Sequence, residues 1–156
     1  MERTIGELLA DHPFFAGLPA GDLQLIAGCG HNVVLRADEM VFREGDPADR
    51  FYVIRHGAIA LELFVPERGP LVVDSVSEGG VVGVSWLVPP HQWQFDGRAL
   101  DVVRAVSIDG VCLRRKCEED TRLGYELMSR FARLLAARMQ SARVRLVDIY
   151  GHAGVR

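Results

Sequence analysis

Short apolar segments separated by glycine turns are the feature that most constrains the fold of this chain. The stretch from Ala37 to Leu63 holds two apolar runs around an acidic turn, and a third run begins after Gly57. Each run is too short for a helix and is rich in β-branched or aromatic residues. Gly45 and Gly57 mark corners, where a reversing strand often needs a positive φ that glycine adopts without steric penalty. The pattern predicts consecutive strands joined by tight turns.

The same pattern extends over residues 33–116, and no segment of helical length interrupts it to make a parallel crossover. The predicted strands are NVVLRA, EMVFRE, RFYVIRH, AIALELFV, PLVVDSV, VVGVSWLV, ALDVVRAVSI and VCLRR. We therefore predict a mainly β fold with flanking helices, in which antiparallel strands form a double-sheet jelly roll. Residues 1–32 are predicted to form short N-terminal helices, because Asp11 and the Pro19–Asp22 segment carry helix-start signals.

Residues 117–150 change to a helical period, with an apolar stripe at steps of three or four residues. The stripe spans about 22 residues, or roughly 33 Å. Since a helix of that length exceeds one face of a compact roll, we predict that part of it pairs with a second copy of the chain. The alternative is a helix packed along the flank of its own roll. The predicted dimer seam is Met128, Phe131, Leu135, Met139, Ala142 and Leu146.

Length and charge limit the remaining classes of function. The 156 residues suit a single domain covering residues 1–156, and the net charge of −3 gives no general attraction to nucleic acid or membrane. The arginine-rich C-terminal region fits a solvated helix face better than a nucleic-acid arm. No apolar run of about 20 residues and no signal-peptide pattern is present, so we expect a cytoplasmic protein without a membrane span.

Cysteine and histidine spacing argues against a metal centre and against catalysis. Three cysteines do not make a disulfide framework, and Cys112 and Cys117 lack a second ligand pair, so we predict free thiols and no zinc. The five histidines are scattered without the H-x-H spacing of metal enzymes on double-sheet rolls. Ser85 lacks the second glycine of a nucleophile elbow. We expect no catalytic residues and no metal.

The strand and turn residues also resemble a known family. Residues 45–57 follow the order G-x-x-A-x-x-x-Y-x-I-x-x-G of the cyclic nucleotide-binding domain of the Crp/Fnr, or catabolite activator-like, family. The resemblance implies a β-roll with an N-terminal helical lid and a long C-terminal dimerisation helix that ends in a hinge near Arg145–Gly151. Regulators of this family read DNA with a helix-turn-helix after that hinge. Only residues 152–156 follow here, so the chain resembles a stand-alone bacterial variant, and we expect no direct DNA binding.

The resemblance also implies a ligand site in residues 79–99, which correspond to the phosphate-binding cassette of the family. There a short helix, expected between Gly83 and Pro90, offers backbone N–H groups and a positive dipole end to an anion. The implied ligand is cAMP or cGMP, with no other cofactor. The implied ligand-binding residues are Gly83, Val84, Ser85, Trp86, Arg98 and Ala99.

Two departures from the family pattern weaken the expected nucleotide site. Val84 stands where the family carries a glutamate that accepts hydrogen bonds from the ribose hydroxyl, and an unpaired buried hydroxyl costs about 1–3 kcal/mol. Arg98 precedes Arg104 by six residues instead of the usual five, which implies a bulge or a longer loop, either of which would aim Arg98 away from the pocket. The sequence leaves two roles open for Arg98, a ligand contact or a surface or interface arginine paired to Asp96 or Asp101.

Trp86 and Trp93 add unusual bulk to the cassette, and the sequence leaves open whether they form a stacking wall or fill the pocket. Two functions therefore remain. The first is a non-catalytic regulatory domain that senses a cyclic nucleotide or another small anion and transmits binding through its C-terminal dimer helix. The second is a dimeric interaction module with a degenerate pocket, which acts through an unidentified protein partner.

Overall fold

The computed structural model describes residues 2–154, and the side chains of residues 2–151. The helices are α1 (Ile5–Ala10), α2 (Ala20–Ala27), α3 (Gly110–Glu119) and α4 (Thr121–Gly154), with a 3₁₀ turn at Pro13–Phe15. The strands are β1 (Gly30–Leu35), β2 (Met40–Phe42), β3 (Arg50–His56), β4 (Ile59–Val65), β5 (Gly69–Val76), β6 (Val81–Val82), β7 (Asp96–Ala99) and β8 (Val103–Asp109).

The eight strands form two sheets of four, ordered β1-β8-β3-β6 and β2-β7-β4-β5. Every strand pairing is antiparallel. The predicted mainly β roll with N-terminal helices and a long C-terminal helix is therefore confirmed. Two features of the corner at Gly57 require glycine. The φ angle is +85°, and an added Cβ would lie 2.5 Å from the carbonyl oxygen of Val102.

One predicted strand is wrong and one observed strand was missed. The VCLRR segment lies in α3, where the Asp109 carboxylate accepts a hydrogen bond from the Cys112 N–H at 3.0 Å and caps the helix. Strand β7 carries the sequence DGRA, which has no apolar alternation to reveal it. The roll consequently spans residues 30–109 instead of 33–116. The helix predicted over residues 117–150 is α4, which covers Thr121–Gly154, while residues 117–119 belong to α3.

The helical position of Cys112 also overturns the prediction that all three cysteines are free thiols. Cys112 forms a disulfide with Cys29, and Cys117 is free. The main chain brings the two together, since the Asp109 N–H donates to the Cys29 carbonyl at 2.8 Å. A disulfide is uncommon in cytosolic proteins, so the cytoplasmic location stays a prediction. No helix among the described residues is long and apolar enough to cross a membrane.

The core has two apolar clusters. One lies inside the roll and includes Phe42, Ile54 and Trp93. The other lies between the roll and the helices, and it contains Trp86 and Phe131. Phe131 is only 1% exposed, so its predicted place in a dimer seam disagrees with the structure. It sits on the side of α4 that faces the roll, in edge contact with the rings listed here: Phe14, Phe51 and Trp86.

Candidate functional site

A cavity of about 610 Å³ lies between the roll and α4, and its size falls within the range of small-molecule sites. Strands β2, β4 and β5, the segment after β6 and five residues of α4 line it. Its apolar lining is Phe42, Leu61, Leu63, Val73, Val82, Gly83, Val84, Trp93, Phe95, Leu135, Met139 and Ala142. Its polar lining is Asp74, Ser85, Gln94, Arg138 and Arg145.

Three of the predicted ligand residues, Gly83, Val84 and Ser85, line this cavity. Gly83 has a φ of +111°, and a Cβ there would lie 3.0 Å from the Trp93 ring, so the chain passes close to that ring only as glycine. Val84 presents an apolar side chain where a ribose hydroxyl would need an acceptor.

The short helix expected between Gly83 and Pro90 is absent, and that prediction is wrong. The segment makes two separate turns instead, closed by hydrogen bonds of 3.0 Å from the Leu87 N–H to the Val84 carbonyl and from the His91 N–H to the Val88 carbonyl. The residue before a proline is disfavoured in the helical region, so Val88 ends the turn before a helix forms. A helix dipole therefore does not contribute to this site.

The two tryptophans have different positions. Trp86 is fully buried beside Phe51 and Phe131 and lies outside the cavity, and its indole N–H has no hydrogen-bond partner among the described residues. Trp93 stacks on Phe42 with ring centroids 3.7 Å apart and planes 10° apart. Trp86 thus fills the core beneath α4, while Trp93 and Phe42 form a stacked aromatic pair in one wall of the cavity.

Arg98 lies outside the cavity, which disagrees with its predicted ligand role. Alternation along β7 turns Gly97 toward the Phe42 ring and Arg98 toward the outer face. There its Nε donates to Glu62 Oε1 at 3.2 Å and its Nη1 donates to the Asp38 carbonyl at 3.3 Å. A register shift in the β2–β7 pairing lies beside it, but its extra residue is in β2, between Met40 and Phe42, and not in the Arg98–Arg104 spacing that suggested a bulge.

The other predicted positions near Arg98 also differ from expectation. Ala99 is fully buried in the core of the roll and does not line the cavity. Neither Asp96 nor Asp101 pairs with Arg98, because each accepts a main-chain hydrogen bond instead. Asp96 accepts from the Glu44 N–H at 2.8 Å and Asp101 from the Ala58 N–H at 3.0 Å.

The cations of the cavity come from α4 and were missed from the sequence. Arg145 donates to the Val73 carbonyl at 2.7 Å and lies 3.7 Å from Asp74 Oδ1. Arg138 donates to the Val81 carbonyl, and no carboxylate of the described residues lies within 4 Å of its guanidinium. Burial lowers the pKa of Arg138 from its usual value. The signal available in the sequence was their seven-residue spacing, which places both on one helix face.

The exposed stripe of α4 overlaps the cavity. Three predicted seam residues, Leu135, Met139 and Ala142, line it. Met128 and Leu146 do not, and each is 53% exposed. Among the described residues no group of three or more histidine, cysteine or acidic side chains is arranged to hold a metal ion.

Comparison with known proteins agrees with this architecture. Residues 32–120 match the family described as the cyclic nucleotide-binding domain. The chain is 24% identical over 143 residues to a CRP-like cAMP-activated global transcriptional regulator from Mycobacterium tuberculosis. That match covers 92% of this chain and 62% of the regulator, so the chain spans less than two thirds of the length of this relative.

Solved structures give the same result. A putative cyclic nucleotide-binding protein from Geobacter metallireducens superposes with a TM-score of 0.77 at 30% identity, covering 88% of this chain and 99% of that one. The regulatory domain of Toxoplasma gondii PKA, crystallised with cAMP, superposes with a TM-score of 0.67 at 17% identity, covering 88% of this chain and 49% of that one. At that identity the second likeness shows the fold alone.

Proposed function

We propose, from the premise that this chain belongs to the cyclic nucleotide-binding domain family, that it is a non-catalytic regulatory domain that senses a ligand in the cavity beneath α4. The observation that carries the proposal is the composition of the cavity wall. Leu135, Arg138 and Arg145 of α4 line the same space as the Gly83–Ser85 segment. A molecule in this space therefore touches the roll and the long helix together.

This shared wall supplies the physical link between binding and response. A ligand shifts a conformational equilibrium only by its difference in affinity between two states. Contacts to α4 change whenever the helix moves relative to the roll, so a ligand that touches both discriminates between helix positions. The exposed residues Met139 and Leu146 would carry the change to a second copy of the chain, which we propose pairs along this stripe.

A second candidate function is an interaction module that no longer binds a cyclic nucleotide. Two observations favour it over nucleotide sensing. Val84 gives no acceptor for a ribose hydroxyl, and the Arg98 guanidinium is already paired with Glu62 on the outer face. Under this function the dimer and an unidentified protein partner would use α4 without a nucleotide in the cavity.

Hydrogen exchange of α4, combined with calorimetric titration, separates the two functions. We expect any ligand that enters the cavity to slow amide exchange within residues 134–146, because it adds contacts to that part of the helix. The probes are cAMP and cGMP at millimolar concentration. A ligand that binds with heat but leaves exchange in α4 unchanged would contradict sensing through the helix. Absence of both heat and protection with either nucleotide would favour the module over a nucleotide sensor.

A further inference from the structure

We infer that the ligand of this cavity is an amphipathic monoanion, with an apolar body against the Phe42–Trp93 wall and a single carboxylate at Arg138. This inference rests on the proposed sensing function, and it specifies the chemical class of ligand instead of the cyclic nucleotide that the family resemblance implies.

The apolar lining of the cavity is the first reason to expect a ligand with an apolar body. Twelve of the seventeen lining residues are apolar or glycine, and they come from both the roll and α4. Covering such a surface with hydrocarbon or an unsubstituted ring favours binding by roughly 25 cal/mol per Å² of apolar area buried. A ribose or a purine edge would bring hydroxyl and amine groups against this surface, and each unpaired polar group would oppose binding.

The charged residues of the lining are the reason to expect a monoanion. Two arginines and one aspartate line the cavity, which gives a formal net charge of 2 − 1 = +1. Asp74 lies within ion-pair distance of Arg145. Arg138 therefore remains as the partly buried cation without a carboxylate within 4 Å among the described residues. One bound monoanion would neutralise the formal charge of +1 on the cavity lining.

The geometry of Arg138 suits this role. A guanidinium has five N–H donors, and the bond to the Val81 carbonyl is the one hydrogen bond that this side chain makes to the described residues. That bond fixes the side chain at the cavity edge while leaving donors for an incoming carboxylate, which arginine binds in a bidentate manner. Burial of the guanidinium strengthens such a pair, because the effective dielectric constant is lower there than in water.

The test compares two probes with the same ten-carbon chain, one ending in a carboxylate and the other in an uncharged hydroxyl. Decanoate, below the concentration at which it forms micelles, and decanol are titrated by calorimetry and by the fluorescence of Trp93. We expect decanoate to bind roughly ten- to a hundredfold more tightly than decanol, as one charge-assisted contact predicts. A Trp93→Phe variant should lose most of the fluorescence response, since Trp86 lies outside the cavity.

Matched variants locate the charge. Arg138→Gln should weaken decanoate binding by the same ten- to hundredfold factor and leave decanol unchanged. Arg143→Gln, on the solvent side of the same helix, removes an equal charge and should leave both probes unchanged. Ala142→Trp, which fills the cavity from an exposed helix position, should abolish both. Equal binding of the two probes, or equal loss in the two arginine variants, would overturn the inference.

The outcomes separate this inference from the proposed function. If cAMP binds and slows exchange in α4 while decanoate does not bind, the ligand class is wrong and sensing stands. If decanoate binds as described and exchange within residues 134–146 is unchanged, the ligand class stands and sensing through α4 fails. If decanoate, cAMP and cGMP all fail to bind, both proposals are contradicted.

Discussion

The ring of Phe131 in α4 meets the ring of Trp86 edge to face, with centroids 5.5 Å apart and planes 69° apart. Trp86 directly follows the Gly83–Ser85 segment of the cavity wall. The contact therefore ties the long helix to the chain segment that would touch a ligand. Both rings are fully buried, so the position of α4 and the shape of the cavity depend on the same packed core.

Truncation of this contact should cost stability more than truncation anywhere on the exposed stripe. We expect Phe131→Ala to lower the free energy of unfolding by about 3–5 kcal/mol, because a buried ring is replaced by a cavity. The matched control is Met139→Ala on the same helix, where the side chain is 67% exposed and the loss should stay within about 0.5 kcal/mol. Urea unfolding of both variants at one protein concentration measures the difference, and similar losses would contradict the placement of Phe131.

The backbone at Gly83 gives a second prediction. We expect Gly83→Ala to destabilise the fold by about 1–3 kcal/mol, because alanine is strained at a φ of +111°. Its Cβ would also crowd the Trp93 ring. Gly69→Ala is the control, since φ is +81° there but nothing lies within 4 Å of the added Cβ. Thermal unfolding should show the larger loss at Gly83, and only that variant should change Trp93 fluorescence; equal effects would mean that the close approach to Trp93 is unimportant.

The sequence predicted most of the strands but only part of the candidate site. Short apolar runs and turn glycines predicted β3 and β4, because the four consecutive buried residues of each strand are mostly apolar. Strand β7 has no such local signal, since DGRA is positioned by its two neighbouring strands. Helix α3 does carry a local signal, the Asp109 N-cap, which the interpretation of VCLRR as a strand overlooked. The disulfide between Cys29 and Cys112 was missed for the same reason, because it depends on where α3 places Cys112.

The site shows the same limit. The family motif located Gly83, Val84 and Ser85, which line the cavity through main-chain position. It did not locate Arg138 or Arg145, because their contact with the roll depends on how α4 packs across it. The motif also implied a ligand role for Arg98, whose side chain lies outside the cavity and pairs with Glu62.

The disulfide gives a third prediction, because it closes a long loop. Cys29 and Cys112 are 83 residues apart, and cross-links of this kind stabilise folded proteins by about 2–4 kcal/mol. We expect dithiothreitol to lower the unfolding midpoint of the native chain and to leave a Cys29→Ser, Cys112→Ser double variant unchanged. Cys117→Ser is the control and should keep the full response to reductant. Mass spectrometry of the unreduced protein should recover the Cys29–Cys112 peptide pair; its absence, with no effect of reductant, would contradict the bond.

The pH dependence of stability should follow His12, which is buried beneath the first helix. Burial lowers the pKa of His12 in the folded protein from the model-peptide value of 6.5. Its Nδ1 accepts a hydrogen bond from the Phe14 N–H at 3.2 Å, so Nε2 carries the proton and donates to the Ile54 carbonyl at 3.1 Å. The neutral ring is therefore the form that the fold accommodates.

The sign of the effect follows from the two protonation states. Above pH 6.5 the ring is neutral in both folded and unfolded chains, and His12 adds no pH dependence. Below pH 6.5 the unfolded chain binds a proton first, so the free energy of unfolding falls as pH decreases, until the folded state also protonates. We expect urea unfolding between pH 8 and pH 5 to show this decline. His12→Asn, which keeps an acceptor for the Phe14 N–H, should be less stable at pH 8 but show a flatter slope. His31→Asn, at an exposed position, should keep the native slope, and a native slope in His12→Asn as well would contradict the assignment.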